Sequence, residues 1–134
     1  MRAEPDLRGA RVPAAMAAGG SCVVLVTCPD AEVAESIARD LVERRLAACG
    51  NVTAPVTSVY RWKGEVHREG EVLLVVKTRR DLVADCLPAI RALHPYEVPE
   101  IVALPIIAGS REYLQWIRAE TRLPVRARRP GRGR

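Results

Sequence analysis

The sequence contains no phenylalanine and few aromatic residues of any kind. Of its 134 residues, two are tryptophan and three are tyrosine, while 49% are hydrophobic. The core must therefore be built from Val, Leu, Ile and Ala, and the hydrophobic content excludes a disordered chain. The length suits one domain and is too short for two independent cores.

Long apolar runs are also missing. No run approaches the roughly 20 residues that a membrane-spanning helix needs. Residues 1–20 mix Glu4 and Asp6 with three arginines and contain no continuous apolar stretch of the kind found in secretory signals. We therefore expect a cytoplasmic protein without a membrane partner. Residues 1–20 are predicted to be a flexible leader, and Met16 is an alternative start to Met1.

Paired-cysteine motifs are absent too. Cys22, Cys28, Cys49 and Cys86 show no CxxC spacing, so neither a zinc site nor a thioredoxin motif is indicated. In the cytoplasm the four side chains are expected to remain thiols. Their first interpretation is as small buried hydrophobic residues.

The net charge of +5 is concentrated at one end of the chain. Residues 123–134 carry five arginines and no acid, whereas residues 21–122 hold 13 basic and 14 acidic residues. The domain predicted over 21–122 is therefore close to neutral, and residues 123–134 are predicted to be a disordered basic tail. No specific nucleic-acid partner is expected, because such a tail offers only non-specific attraction to phosphates.

The hydrophobic pattern begins with a strand and a helix. Residues 22–28 form a β-branched apolar run that predicts a buried central strand. Asp30 is placed to cap the following helix, and Gly50 with Asn51 is predicted to close the helix exit. The helix has apolar residues at helical spacing: Ala34, Ile37, Ala38, Leu41 and Val42.

The period then changes to two. Alternation from Val52 to Trp62 predicts a strand, Lys63-Gly64 predicts a hairpin turn, and a return strand is expected to run to about Thr78. These two strands form a long hairpin.

A second helix and a last strand follow the hairpin. Residues 78–81 resemble a capping box for that helix, and Pro88 predicts a kink or a later start. Residues 101–107 predict the last strand, in which Pro105 indicates an edge position or a bulge. Ser110 is expected to cap a terminal helix.

The predicted order is β-α-β-β-α-β plus a C-terminal helix. This order is that of the α+β, ferredoxin-like arrangement, in which both main helices cover one face of an antiparallel sheet.

The hairpin is longer than the helices that should cover it. Arms of about twelve residues span roughly 40 Å, whereas helices of about fifteen residues span about 23 Å. The overhang includes Tyr60 and Trp62, whose side chains suit interfaces. An uncovered apolar strand edge is a liability that pairing between subunits removes. We therefore expect a homo-oligomer, whose number of subunits the hairpin length leaves open.

Six blocks of the sequence resemble those of CutA divalent-cation tolerance proteins, in the same order. They are VVLVTCPD, LAACGNV, SVYRWKGEV, EVLLVVKT, HPYEVPEIVALPI and GSREYLQWI, and they cover essentially residues 21–120. The resemblance implies a ferredoxin-like homotrimer with a role in tolerance of divalent cations. It also implies that Cu²⁺ or another divalent metal is an optional ligand, with no cofactor required.

The resemblance further implies candidate metal ligands. Of the histidine pair that the family has before Pro-Tyr, only His94 is present, because Leu93 occupies the preceding place. The first-strand thiol position falls at Val26, with Cys28 one pleat further along the same face. Cys49 ends the LAAC block. An alternative for His94 is a hydrogen bond to the backbone that holds the loop, and for both cysteines it is simple burial.

Other candidates are interface or pocket residues rather than catalytic ones: Tyr60, Trp62, Tyr96, Glu97 and Glu100. The sequence shows no paired carboxylates, nucleophile triad or phosphate-binding glycine loop that would indicate an enzyme. A trimeric signalling module like the PII proteins, binding a small ligand at subunit interfaces, stays open as an alternative. Such a module would need a site for a nucleotide phosphate, and the sequence shows no phosphate-binding motif. An enzyme resembling acylphosphatase is disfavoured by the acidic Pro29-Asp30 after the first strand.

Overall fold

The computed structural model describes residues 20–124, so the predicted leader and nearly all of the predicted basic tail lie outside the described residues. Five strands, three α-helices and one 3-10 turn make up the described part. In chain order they are β1 (Ser21–Cys28), α1 (Ala31–Glu43), β2 (Cys49–Val52), β3 (Val56–Trp62), β4 (Glu65–Arg79), a 3-10 turn (Arg80–Leu82), α2 (Val83–Leu93), β5 (Ile101–Pro105) and α3 (Arg111–Glu120).

All pairings in the sheet are antiparallel, and β4 is its longest strand. The order is β2-β4-β1-β5, and β3 pairs with β4 further along the same edge as β2. Strands β2 and β3 together therefore occupy the place of one long strand. With that allowance, the predicted ferredoxin-like α+β arrangement with its C-terminal helix is confirmed.

The core lies between the sheet and helices α1 and α2. Strand β1 alternates between half-buried and fully buried residues along its whole length, as a sheet with helices on one face requires. Its buried residues meet those of the helices in a single apolar cluster. The largest members are Val24, Val26, Ile37, Leu41, Leu46, Leu74, Val76, Leu82 and Ile90.

Helix α1 begins as predicted and ends earlier than predicted. The carboxylate of Asp30 accepts a hydrogen bond from the Val33 amide at 2.9 Å, which confirms the N-cap. The helix ends at Glu43, and Arg45 turns the chain with a positive φ of 60°. The prediction that Gly50 and Asn51 close the helix was therefore wrong, because both residues already lie in strand β2.

The first arm of the hairpin is interrupted. We predicted one strand from Val52 to Trp62, but residues 53–55 separate β2 from β3. At the break, the Thr53 amide donates to the Leu73 carbonyl, and the Thr53 hydroxyl accepts from the Leu73 amide. The Thr53 hydroxyl thus takes the place of a backbone acceptor. Pro55, which has no amide hydrogen to donate, lies in the segment where backbone pairing with β4 stops.

The hairpin turn is as predicted. Lys63 and Gly64 have φ values of 51° and 85°, the two positive values that a type I′ turn needs. This turn fits the twist of β3 and β4 and fixes their register, with Trp62 opposite Glu65.

The predicted capping box before α2 was wrong. The Thr78 hydroxyl donates to the Leu46 carbonyl at 2.6 Å inside the core, so it caps no helix. Instead, Arg79 and Asp81 form an ion pair at 3.0 Å beside the 3-10 turn that precedes α2. Helix α2 runs from Val83 to Leu93 and includes Pro88.

The C-terminal elements follow the sequence pattern. Strand β5 is an edge strand that ends at Pro105, two residues before the predicted end. The Ser110 hydroxyl accepts from the Tyr113 amide at 3.2 Å and caps α3, as predicted. On that helix Ile117 is buried, while Trp116 stays partly exposed next to Tyr113.

Gly50 is placed where helix α1 approaches the sheet closely. A Cβ there would lie 2.8 Å from the Ala38 Cβ and 3.3 Å from the Leu74 Cδ1. We expect Gly50→Ala to lower the free energy of unfolding by about 1–3 kcal/mol, since the packed helix must shift. Asn51→Ala, one residue along on the exposed face, is the control and should cost less than about 1 kcal/mol. Urea denaturation of both variants checks this; equal midpoints would contradict it.

Candidate functional site

A two-stranded ribbon projects beyond the four-stranded part of the sheet. Strand β1 stops pairing with β4 at Val72, and the part of β4 before it, residues 65–71, pairs only with β3 among the described residues. Seven residues of overhang correspond to about 24 Å at the usual strand rise. We call residues 56–71 the ribbon; the predicted overhang is thus confirmed, and it is built on β4.

The two faces of the ribbon differ. Tyr60 and Trp62 lie on one face, where the Tyr60 ring stacks on His67 at 5.3 Å and the Tyr60 hydroxyl donates to Glu69 Oε1 at 2.8 Å. The opposite face carries Val59 and Val66, which are 66% and 62% exposed in the single chain. Apolar exposure of this kind on both sides of a narrow ribbon indicates a surface that meets another protein.

The sheet also has an apolar face that α1 and α2 do not cover. Its residues alternate with the core-facing ones along each strand, and none of them is fully buried. We call this surface the open face, and it consists of Val23, Leu25, Leu73, Val75, Val102 and Leu104. Helix α3 lies near one end of it, since Tyr113 contacts Cys49, and burial together with Cys49 raises the pKa of Tyr113.

A pocket of about 520 Å³ lies where the ribbon leaves the sheet. It brings together all five predicted interface or pocket residues, which come from two distant parts of the chain. We call it the acidic pocket. Its lining residues are Thr27, Ser58, Val59, Tyr60, Trp62, Glu69, Glu71, Tyr96, Glu97, Val98 and Glu100.

Tyr96 and Glu71 form the inner wall of the acidic pocket. The Tyr96 hydroxyl donates to Glu71 Oε2 at 2.7 Å, and Glu71 is only 7% exposed. Burial, this hydrogen bond and the surrounding carboxylates raise the pKa of Tyr96. The hydrogen bond to Glu69 is likewise the main cause that raises the pKa of Tyr60. Both phenols are therefore fixed hydrogen-bond donors at neutral pH, and each orients a carboxylate.

His94 holds the loop that carries Tyr96. Its Nε2 lies 2.7 Å from the Thr27 carbonyl, and its Nδ1 accepts from the Tyr96 amide at 3.2 Å. Because a carbonyl only accepts, the Nε2 atom carries the proton, and neither ring nitrogen has a free lone pair. This arrangement matches the alternative predicted from the sequence, in which His94 holds the loop through a hydrogen bond to the backbone. Metal ligation by His94 stays a prediction that requires the ring to give up a backbone partner.

The three predicted metal ligands do not converge. His94 contacts the carbonyl of Thr27, the residue before Cys28, whereas Cys49 lies opposite Lys77 near the other end of the strands. Lys77 pairs with Val23, five residues from Cys28, which is about 17 Å along the strand. Within residues 20–124 no group of three or more His, Cys, Asp or Glu side chains is arranged to hold a metal. Cys49 therefore cannot join the other two in one site within a single chain.

Cys28 is also a poor ligand in its present state. Its side chain is fully buried, and burial, with smaller effects from Glu71 and Asp30, raises the pKa of the thiol to about 11. The thiolate is the form that binds soft metals, and at neutral pH it is scarcely populated here. The Cys49 thiol, in contrast, is partly exposed and donates to Asn51 Oδ1 at 3.6 Å.

The family model of the CutA1 divalent ion tolerance protein matches residues 22–120, almost the whole described part of the chain. The chain belongs to the CutA family. The divalent-cation tolerance protein CutA of Thermus thermophilus is 56% identical over 99 residues, which are 74% of this chain and 96% of that protein. The human protein CutA is 47% identical over 103 residues, which cover 77% of this chain but only 58% of the human protein.

Solved CutA structures have the same fold. The Cut A1 structure from Thermus thermophilus has a TM-score of 0.73 at 54% identity and covers 75% of this chain and 98% of its own. CutA1 from the psychrotrophic bacterium Shewanella has a TM-score of 0.74 at 38% identity and covers 77% and 96%. These CutA matches lend no support to the PII-like alternative. In the described part of the chain, no helix has the length and apolarity to cross a membrane.

The carboxylates of β4 in the acidic pocket of this CutA-family chain were not predicted from the sequence. Glu69 and Glu71 stand in a polar stretch and gave no motif. A signal was nevertheless present, because with the turn at Lys63-Gly64 the register places Ser58 opposite Glu69 and Tyr60 opposite His67. Pairing residues across the predicted turn would have put both carboxylates on the Tyr60 face.

Alkaline pH is expected to destabilise the CutA domain through its buried thiols. Burial raises the pKa of Cys22 and Cys28 from 9.0 to about 11, and that of Cys86 to about 12. Above pH 9 the unfolded chain releases protons that the folded chain keeps, so the free energy of unfolding falls as pH rises. The slope is up to about 1.4 kcal/mol per pH unit for each thiol.

Urea midpoints measured under reducing conditions from about pH 8 to about pH 10.5 check this slope. Cys86→Ala should lower the midpoint and flatten the slope, whereas Cys49→Ala, at a partly exposed position, should lower the midpoint by less. A urea midpoint that does not change with pH over this range would contradict the raised pKa values of the buried thiols.

Proposed function

We propose that this chain acts as a homotrimeric divalent-cation tolerance protein of the cytoplasm, which binds its ligands and catalyses no reaction. The observation that carries the proposal is the ribbon, which extends about 24 Å past the rest of its own sheet. The role in divalent-cation tolerance is supported by the family and by the name of the Thermus thermophilus relative.

The case for assembly combines the ribbon with the open face. Each presents apolar side chains that one chain leaves uncovered, such as Val59 on the ribbon and Leu104 on the open face. A ribbon from one subunit that pairs along another would bury both, and closed rotational symmetry would stop further growth. Three subunits is the number that the resemblance implies.

Binding rather than catalysis is supported by the state of the reactive groups. The Cys28 thiol is buried with a raised pKa, and both His94 nitrogens have backbone partners. A nucleophile needs a lowered pKa or an adjacent free base, and these side chains have neither. The four cysteines are unpaired, as suits a reducing compartment such as the cytoplasm.

Copper is the divalent ion with which we propose to test metal binding. Calorimetric titration of the assembled protein with Cu²⁺ should show sub-millimolar binding that His94→Ala weakens. The affinity should be modest, since the metal must displace a backbone partner of the ring. His67→Ala, the other histidine of the chain, is the control. A titration that releases no heat, or a copper affinity that is the same in His94→Ala, would reject the proposed metal binding. Neither result would bear on the proposed trimer.

A further inference from the structure

The end of the domain opposite the ribbon collects arginine side chains. The ribbon leaves the sheet at Val72, which pairs with Cys28, whereas Ser21 pairs with Arg79 at the other end of the same two strands. The two ends are about 24 Å apart at the usual strand rise. Helix α1 finishes at the second end, because the Leu46 carbonyl that follows it accepts from Thr78, beside Arg79. This end is therefore remote from the ribbon.

Three arginines lie together there, where α1 ends and the chain continues beyond α3. The Arg45 guanidinium donates to the Ala119 carbonyl at 3.0 Å, and the Arg122 amide donates to the Arg45 carbonyl at 2.9 Å. Burial raises the pKa of Cys86, and Arg44 and Arg122 both act against this rise, so both charges lie near the same thiol. We call Arg44, Arg45 and Arg122 the arginine end.

Two cations of the arginine end have no carboxylate partner. Arg44 pairs with Asp40 at 3.0 Å, but within residues 20–124 neither Arg45 nor Arg122 forms a salt bridge. The Arg122 Nε atom is buried and has no hydrogen-bond partner in that range, while the residue as a whole is partly exposed. A partly buried cation without a partner is costly unless an anion approaches it. The arginine end therefore favours an anionic partner.

The basic tail follows directly after the arginine end. It begins at the residue after Arg122, and residues 123–134 contain five arginines, no acid and no lysine. Arginine presents a planar fork of donors that matches a phosphate group, and its plane also stacks on flat rings. The five tail arginines together with Arg45 and Arg122 supply seven positive charges. The acidic pocket lies at the ribbon end, so it would direct a long anion towards the tail.

The composition of the tail distinguishes between classes of polyanion. A membrane-surface helix needs a face of large apolar side chains, and besides its prolines the tail offers only Leu123, Val125 and Ala127. A helix that enters a duplex groove is disfavoured by Pro130 and the two following glycines, at 131 and 133. Arginines spaced by glycine and proline are typical of segments that bind single strands, where they contact phosphates and stack on unpaired bases.

We propose that the arginine end and the basic tail together bind single-stranded nucleic acid without regard to base sequence. The guanidinium groups hold the phosphates, and the tail arginines stack on the bases. This goes beyond the tolerance role proposed above, and it depends neither on copper binding nor on the number of subunits. A closed assembly carries one tail per subunit, which strengthens binding through multivalency.

The test measures binding of a fluorescent oligouridine of about 20 nucleotides to the full chain, by anisotropy over a series of salt concentrations. With seven charges engaged, the logarithm of the association constant should fall with the logarithm of salt concentration with a slope of about −5 or steeper. Serine in place of all five tail arginines should weaken binding at least about tenfold near 0.1 M salt and make the slope shallower by about 3.5 or more. The replaced residues are Arg126, Arg128, Arg129, Arg132 and Arg134.

The serine variant should keep the assembled mass and the copper affinity of the unaltered protein, because its substitutions lie outside residues 20–124. Single variants test the arginine end itself. Arg122→Gln should weaken binding and make the slope shallower by about 0.7. Arg91→Gln, at an exposed arginine in the last turn of α2 near the ribbon end, is the control and should leave both unchanged.

Vesicles that contain phosphatidylserine provide the competing anionic surface at the same salt concentration, and they should not displace the oligonucleotide. Displacement by the vesicles would assign the tail to membranes and overturn the proposal. An affinity independent of salt, full binding by the serine variant, or equal effects of the Arg122 and Arg91 variants would overturn it as well.

Discussion

Replacing Val59 and Val66 together by aspartate is expected to convert the assembled protein into single chains at micromolar concentration. The two valines lie on the same face of the ribbon, on neighbouring strands, and each is more than three-fifths exposed in one chain. If neighbouring subunits cover them, each buried valine contributes about 1.5–3 kcal/mol. An aspartate at either place would bury an unpaired charge, which costs several kcal/mol more.

Analytical ultracentrifugation of Val59→Asp/Val66→Asp should therefore show a single-chain mass, with a far-ultraviolet circular dichroism spectrum close to that of the unaltered protein. The control is Val42→Asp on helix α1, because Val42 is also an exposed valine, at 39%, but lies on the helix layer. It should keep the assembled mass. If the double variant stays assembled, the ribbon face does not form the interface.

His94→Ala is expected to lower the free energy of unfolding by about 2–4 kcal/mol. The imidazole is 8% exposed and satisfies both the Thr27 carbonyl and the Tyr96 amide. Its removal leaves two backbone groups without partners, and each unsatisfied buried group costs about 1–3 kcal/mol. The loop at Tyr96 should also loosen, so the Tyr96 hydroxyl should lose part of its hold on Glu71.

Urea denaturation at fixed protein concentration measures this effect, because oligomer stability depends on concentration. His67→Ala is the matched control, since His67 lies on the ribbon surface and contacts only the Tyr60 ring among its aromatic neighbours. It should cost less than about 1 kcal/mol. Equal losses for the two histidines would show that the hydrogen bonds of His94 are not what stabilises the loop.

Much of this fold could be predicted because its signals are local. Asp30 and Ser110 cap helices with their own side chains, three residues before the amides they accept from. Lys63-Gly64 adopts the backbone that its residue types favour. Such features need no distant partner, and the order of elements that follows from them is sufficient to define the ferredoxin-like arrangement.

The features that were mispredicted depend on contacts distant in sequence. Thr78 has the spacing of a cap, but Leu46, 32 residues away, offers a buried carbonyl that takes its hydroxyl. Gly50 looks like a helix terminator, yet it is needed where Ala38 approaches the sheet. In both cases tertiary packing overrides the local preference.

The acidic pocket shows the same limit. The segment with Tyr96, Glu97 and Glu100 and the ribbon with Trp62 could each be selected from the sequence as interface or pocket residues. That they meet around Glu71 depends on where β4 emerges from the sheet, which no local pattern encodes. Cys49 was predicted as a metal ligand together with His94 because of the resemblance to the family. That resemblance gives no distance between the two residues in the fold.

The ribbon and the open face of each chain should be covered by other copies of the same chain, and the proposed function depends on this assembly. Static light scattering of the purified protein at micromolar concentration, after size-exclusion chromatography, measures the mass in solution without reference to any ligand. We predict a single species of about three times the chain mass of 14.7 kDa. A stable, soluble species with the mass of one chain would contradict this prediction.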